Sequence, residues 1–397
     1  MKKIHDIIIV WAWAAGLYAG IYIPKKYSKL ILEKNAKPGV KVLLSGWERA
    51  NVSNMDIEPE RDYFTQNKKA LKSVFTRYNQ WDTMSWFAEN NVSIVEEDRS
   101  RLILESGDSK ELLEVLTRKA TENNCEIITK QDVIKVEKNP ETQTFTVSTS
   151  EGQTYTSKNV IVSSWWKSFF QVGTTGEGYN FARDFGLNII PPTRALGWLS
   201  TNKDLSEISW SSCVLEINIF DKNSAWAIYT ETGPLLFTHF WVSGPIIFNA
   251  WNAIWEYISW VMQTSEQGDM NTNPSGVDAI YEDYFKNHMY IELTFDSKNT
   301  PKKVVKFFDL TTPLNKNGTQ VENNVHSLQL QNWRSWKEAK ATGGWIDINE
   351  LDKYFEVRKH TGLFFIWEVC DVTGKTWGFN LQWAWSSAYC CAEKFSV

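Results

Sequence analysis

Apolar residues run without a break from Ile7 to Val10 and again from Leu30 to Leu32, with a helix-length, nearly uncharged segment between them. Short unbroken apolar runs fit strands buried on both faces, so the first thirty-three residues read as strand, tight turn, helix, strand. The second run ends on an acid, Glu33. Farther along, apolar residues at three- and four-residue spacing predict helices over 69–90, through Leu71, Val74, Phe75 and Tyr78, and over 110–123, through Leu112, Leu113, Leu116 and Ala120. The charged stretch 96–101 between them reads as a solvated connection. Short strands follow at 126–129, 133–137 and 145–148, and the run Val160-Ile161-Val162 is another buried strand, opening into Ser163 and Ser164. A helix over 179–185 leads to Pro191-Pro192, where a domain boundary is expected.

From Thr193 the period changes to two, with Leu215, Ile217 and Ile219 against Glu216 and Asn218. After a polar link over 264–276, Val277, Ile280, Tyr281, Tyr284 and Phe285 share a helical face. The last sixty residues return to the opening style, with a strand over 363–366, a loop over 367–378 and a helix over about 380–394. These elements predict an α/β protein, with a domain split over 1–190 and 337–397 and an inserted β-rich domain with a small helical part over 191–336.

A βαβ unit of this length with an acid closing its second strand binds dinucleotides, because the helix start offers free N–H groups to a pyrophosphate and the acid takes a ribose hydroxyl. The turn normally reads G-x-G-x-x-G. Here it reads Trp11-Ala12-Trp13-Ala14-Ala15-Gly16, with only the third glycine present. An indole at position 13 would fill the phosphate's place.

Charge narrows the functional classes. The net charge is −5 with acids and bases interspersed, so no basic stripe for nucleic acid is present, and a small-molecule substrate is expected. The five cysteines lack redox spacing, and no histidine has an acid or cysteine at metal-ligand spacing, so a cytoplasmic protein without a metal site is expected. The stretch 7–23 is at the bottom of the membrane-spanning range, and the nucleotide-fold reading takes precedence over a signal or span. Oligomeric state is not legible. Tryptophan is the compositional anomaly, with 21 residues against 21 glycines, where glycine averages about 7%.

Together these stretches resemble one family, the bacterial NAD(P)/FAD-dependent oxidoreductases that include aminoacetone-oxidase-like flavoproteins. The resemblance covers nearly the whole chain. It rests on Ile9 to Gly16 (I-G-A-G-A-A-G in the family), Leu32 to Gly39, Ser45 to Asn54 (S-G-G-G-R-C-N-V-T-N), Gly173 to Tyr179, Phe237 to Pro245, Thr342 to Ile346 and Gly362 to Ser387. Asn380 to Ser387 reproduces N-L-Q-W-A-W-S-S letter for letter. Trp11, Trp13, Trp47, Trp165, Trp166, Trp241, Trp345, Trp367 and Trp377 all stand where the family has glycine, whereas Trp383 and Trp385 stand where it has tryptophan. One cause covers the nine: a gene from a lineage that reads the codon UGA as glycine, translated by a table that reads it as tryptophan. The rival reading is a flavoprotein-derived pseudoenzyme or interaction protein that no longer binds FAD.

The resemblance implies FAD and an oxidoreductase passing hydride between flavin and a nicotinamide, NAD(P)H, or a small organic substrate. It implies cofactor contacts at Trp11, Trp13, Ala14, Ala15 and Gly16 for the pyrophosphate, Glu33 and Lys34 for the adenosine side, and Val133 for the adenine. Ser45, Gly46, Asn51, Ser164 and Trp165 would line the cofactor. Glu368 and Asp371 would lie toward the ribityl and phosphate end, and Asn380, Leu381 and Gln382 along the isoalloxazine. No catalytic group is legible beyond His239, a weak candidate for a proton donor, for which a structural role is the favoured reading.

Overall fold

The unbroken apolar run at the start forms a central strand because it is covered on both faces. Ile7 to Val10 in β1 (Ile4–Val10) are fully buried, as are Leu30 to Leu32 in β2 (Lys29–Leu32), and the helix α1 (Ala14–Tyr22) joins them. The computed structural model describes residues 3–44, 50–164, 177–264, 274–296, 299–310, 324–333 and 341–396. The chain falls into two compact units, Met1–Ile190 with Gly344–Val397, and Pro191–Gly343. The return to the first unit falls at Gly344 rather than at 337, within the strand Ala341–Ile346, which pairs with Ile189–Ala195.

In the first unit β1 is flanked in parallel by β2 and by Thr154–Val162. Cys125–Ile128 lies beyond β2, and Leu363–Phe365 lies parallel to the end of Thr154–Val162. The register sets Val10 opposite both Leu32 and Val162, and Val162 opposite Phe365, so four strands end in one row. Val133–Lys138 and Phe145–Thr149 form the expected antiparallel meander against the first half of Thr154–Val162. The helical stretch over 69–90 is two helices, Lys68–Arg77 and Gln80–Glu89. Asn79 breaks it, its side chain capping the second helix in a reciprocal capping box with Asp82. The charged stretch 96–101 is the turn of a hairpin, Ile94–Glu97 with Arg101–Leu104.

The second unit is a closed six-stranded antiparallel barrel in which Leu215, Ile217 and Ile219 point inward and are buried, as their alternation predicts. A twenty-residue helix, Pro245–Thr264, follows the strand Trp241–Ser243 and is absent from the sequence expectation. The later helix, Pro274–His288, buries Tyr281 and Phe285 but leaves Ile280 50% exposed, so Ile280 is not on the covered face. No helix among the described residues is long and apolar enough to cross a membrane. All five cysteines are free and buried, and burial pushes the thiols of Cys125 and Cys213 up to about 11.

Candidate functional site

The carboxyl edge of the parallel sheet gathers the site. Trp11 N–H donates to Leu32 O (2.7 Å), Ser163 N–H to Val10 O (3.2 Å) and Ile366 N–H to Val162 O (3.1 Å), tying the ends of four strands together. Open α/β sheets take ligands at this edge. Gly16 lies against it: a Cβ there would meet Trp11 O at 2.2 Å and Ser163 Oγ at 2.5 Å, so only glycine lets α1 come this close. Ser163 Oγ donates toward Val10 O and Trp11 O, both at 2.9 Å, and holds the turn in shape. Ser164 and not Ser163 is the residue expected to line the cofactor, although a serine directly after a buried strand is the signal that could have found Ser163.

Glu33 sits at the end of β2, fully buried. One carboxylate oxygen accepts from Ala12 N–H (2.9 Å) and the other from Asn35 N–H (2.8 Å) and Asn35 Nδ2 (2.9 Å). Burial raises its pKa, while hydrogen bonds from Asn35 and Ala12 pull the other way. The acid thus clamps the β1–α1 turn to the end of β2. Lys34 pairs with Asp132 at 3.2 Å. Val133, fully buried, starts the strand Val133–Lys138 opposite Thr149, and Gln131 N–H donates to Glu33 O (2.8 Å) just before it.

The C-terminal helix Phe379–Glu393 begins at Gly378, which lies at φ +98° with Ser53 O only 2.1 Å from where a Cβ would stand. Asn380 pins the preceding loop, accepting from Gly374 N–H (2.9 Å) and donating to Gly374 O (2.9 Å). Leu381 is half-buried. The Gln382 side chain is turned inward: its oxygen accepts from Ser53 Oγ (2.6 Å) and Thr83 Oγ1 (2.9 Å), and its nitrogen donates to Ser386 Oγ (3.0 Å). Asp371 accepts from Gln66 N–H at 3.0 Å and so braces a turn. Glu368 is buried in the short turn Trp367–Val369. Asn51 opens the strand Asn51–Asn54, opposite Ile103. Ser164 is buried, and its Oγ has no hydrogen-bond partner among the described residues. Ser45, Gly46 and Trp165 lie outside the described residues. His239 belongs to the second unit, on the exposed turn between Tyr229–Phe237 and Trp241–Ser243, with its ring 6.4 Å from that of Trp241.

The tryptophans decide what the site admits. Trp13 precedes α1 and is buried, its ring edge-on to Trp367 at 6.0 Å, and buried Trp11 stacks on Phe181 at 6.0 Å. These indoles occupy the approach to the first N–H groups of α1, so the chain as spelled does not fit a bound pyrophosphate. The backbone tells a different story, because Trp11 (φ +76°), Trp345 (+104°), Trp367 (+70°) and Trp377 (+74°) lie in the left-handed region that favours glycine. A cavity of about 470 Å³ opens at the opposite edge of the sheet, beside Lys3, Lys25, Lys26 and Lys29. There Lys29 Nζ donates to Ile23 O (2.8 Å) at the carbonyl end of α1, a helix-capping role.

A parallel sheet whose strand ends meet at a βαβ turn, with an acid closing the second strand, defines a dinucleotide-binding Rossmann domain. The chain matches the HI0933-like protein Rossmann domain over residues 5–394 and belongs to that family of FAD-dependent oxidoreductases. It is 29% identical over 417 residues to the ribosomal RNA dihydrouridine synthase of Haemophilus influenzae, covering 100% of both chains. It is 28% identical over 408 residues to the Escherichia coli protein of the same name, covering 98% of this chain and 97% of that one. A 3-dehydro-bile acid delta(4,6)-reductase of Clostridium scindens is 22% identical, with 97% of each chain covered. Among solved structures, 3-ketosteroid-delta4-(5alpha)-dehydrogenase from Rhodococcus jostii RHA1 shares the fold at a TM-score of 0.50 and 10% identity, covering 99% of this chain and 98% of that one.

Proposed function

We propose that this protein, carrying glycine where UGA codons have been spelled as tryptophan, holds FAD and passes hydride to a carbon–carbon double bond conjugated to a carbonyl. The observation that supports it is the gathering of Gly16, the start of α1 and Glu33 at one sheet edge. There Gly16 with Ala14 and Ala15 takes the pyrophosphate, and Glu33 takes the ribose. FAD supplies the hydride chemistry, and the chain supplies binding and orientation. Asn380 fixes the loop beside the flavin, and a nicotinamide is the electron donor.

The relatives suggest the substrate class. Converting uridine to dihydrouridine saturates a double bond conjugated to a carbonyl, and two full-length relatives are named for that product in ribosomal RNA. A uridine of ribosomal RNA is therefore the first candidate. The net charge of −5 without a basic run favours the second reading, a free small molecule bearing the same bond type. The test uses glycine-restored protein reduced anaerobically with NADH or NADPH, then mixed with a uridine-containing ribosomal RNA fragment, free uridine or an unsaturated ketosteroid. Flavin reoxidation by the RNA alone, with dihydrouridine formed, is the expected result. Reoxidation by the small molecules alone moves the reading to the second class, and failure with all three sinks the double-bond proposal.

A further inference from the structure

We infer that the polypeptide made in the native host carries glycine at position 210, outside every stretch that marks the family, as well as at positions 11, 345, 367 and 377. Backbone strain concentrates on tryptophan. Among the described residues, fifteen non-glycine residues have positive φ, and five of them are tryptophans: Trp11, Trp210, Trp345, Trp367 and Trp377. The chain has 21 phenylalanines and 14 tyrosines, yet these contribute Phe355 alone. A bulky aromatic side chain has no general affinity for this region, since its Cβ crowds the following carbonyl. The excess therefore belongs to the letter W and not to aromatic rings.

Trp210 lies in Ser209-Trp210-Ser211, between the short turn Ser206–Ile208 and the barrel strand Ser212–Asp221, at φ +63°. Its N–H donates to Phe237 O at 2.8 Å, which fixes the backbone in this shape. Its side chain is 70% exposed, with no ring contact or side-chain hydrogen bond among the described residues, so nothing in its surroundings rewards an indole. Trp226 is 81% exposed but is not at positive φ, and Trp251 and Trp255 are buried within the helix Pro245–Thr264, so the backbone makes no case for glycine at these three. Because position 210 lies far in sequence from the nucleotide turn, its identity tests the backbone rule separately from the flavin proposal.

The experiment is peptide mass spectrometry on protein purified from the native host and cut with trypsin. The peptide Asp204–Lys222 contains Trp210 and no other tryptophan, and Thr376–Lys394 contains Trp377, Trp383 and Trp385. The expected result is one tryptophan-to-glycine mass deficit in each peptide. A full tryptophan mass for Asp204–Lys222 overturns the assignment at 210, and a deficit of none, two or three in Thr376–Lys394 overturns the rule. A second measurement uses the recombinant chain as spelled. Trp210→Gly is expected to raise Tm and Trp226→Gly is not, and a fall with Trp210→Gly counts against the inference. Loss of flavin binding in either preparation leaves these masses unchanged, so the two proposals fail separately.

Discussion

The turn Trp11–Gly16 and the helix Phe379–Glu393 both carry two tryptophans separated by one residue, and the two pairs sit differently in the fold. Trp383 and Trp385 lie in helical conformation, fully buried, with indole N–H groups donating to Trp367 O (3.0 Å) and Val52 O (2.8 Å). Trp11 is held at φ +76°, and Trp13 stands before the helix whose N–H groups a phosphate would need. The same residue type therefore agrees with backbone and packing at 383 and 385, and conflicts with its backbone at 11. Agreement among backbone, packing and polar satisfaction identifies a residue that belongs, and conflict among them points to function or to a wrong letter.

Exchanging residue types at these positions is expected to have the largest effect on stability. Trp383→Gly removes a buried indole that packs against Tyr63, Phe75 and Phe355. The expected loss is about 3–5 kcal/mol for the cavity, with about 1 kcal/mol more for glycine in a helix, read as a lower denaturant midpoint. A loss under about 1 kcal/mol would contradict the claim that this tryptophan belongs. Trp377→Gly should act in the other direction. It relieves left-handed strain of about 1–3 kcal/mol, offset by about 0.5–1 kcal/mol for the contact with the Arg99 guanidinium 4.5 Å above the ring. A small net rise in the midpoint is expected, and a clear fall would mean that the indole is native.

The smallest effect is electrostatic. Burial raises the pKa of Glu33 above its ordinary 4.5, so the folded chain holds this proton over a range where the unfolded chain has released it. Stability is then lost as pH rises from about 4.5 through the raised value. Glu33→Gln lacks this slope, so the variant's stability relative to the parent should climb with pH across that window. A relative stability that falls with pH there would show that hydrogen bonds to the carboxylate outweigh its burial.

Much of the first unit was legible because its signals are local. Ile7 to Val10 and Leu30 to Leu32 are unbroken apolar runs, and the acid that ends β2 announces itself by position. The contacts that complete the site are not local. Asp371 meets Gln66, and Gln382 meets Ser53 and Thr83, only after the chain has folded, and no periodicity encodes those pairings. The helix Pro245–Thr264 escaped because isoleucines and aromatic residues dominate it, and Glu256 is its only charge, so it has little of the polar face that marks amphipathic helices. Barrel closure in the second unit was hidden for a related reason, since alternation identifies a strand but not its partner.

The central claim is that the fold is a flavin site whose entrance the spelled tryptophans close. It is tested most directly by purifying two recombinant chains in the presence of FAD, one as spelled and one with glycine at positions 11, 13, 47, 165, 166, 241, 345, 367 and 377. The account predicts that the glycine chain retains FAD through gel filtration and shows a bound-flavin absorption spectrum, while the chain as spelled elutes colourless. A glycine chain that folds and remains colourless, or a chain as spelled that binds FAD equally well, would contradict it.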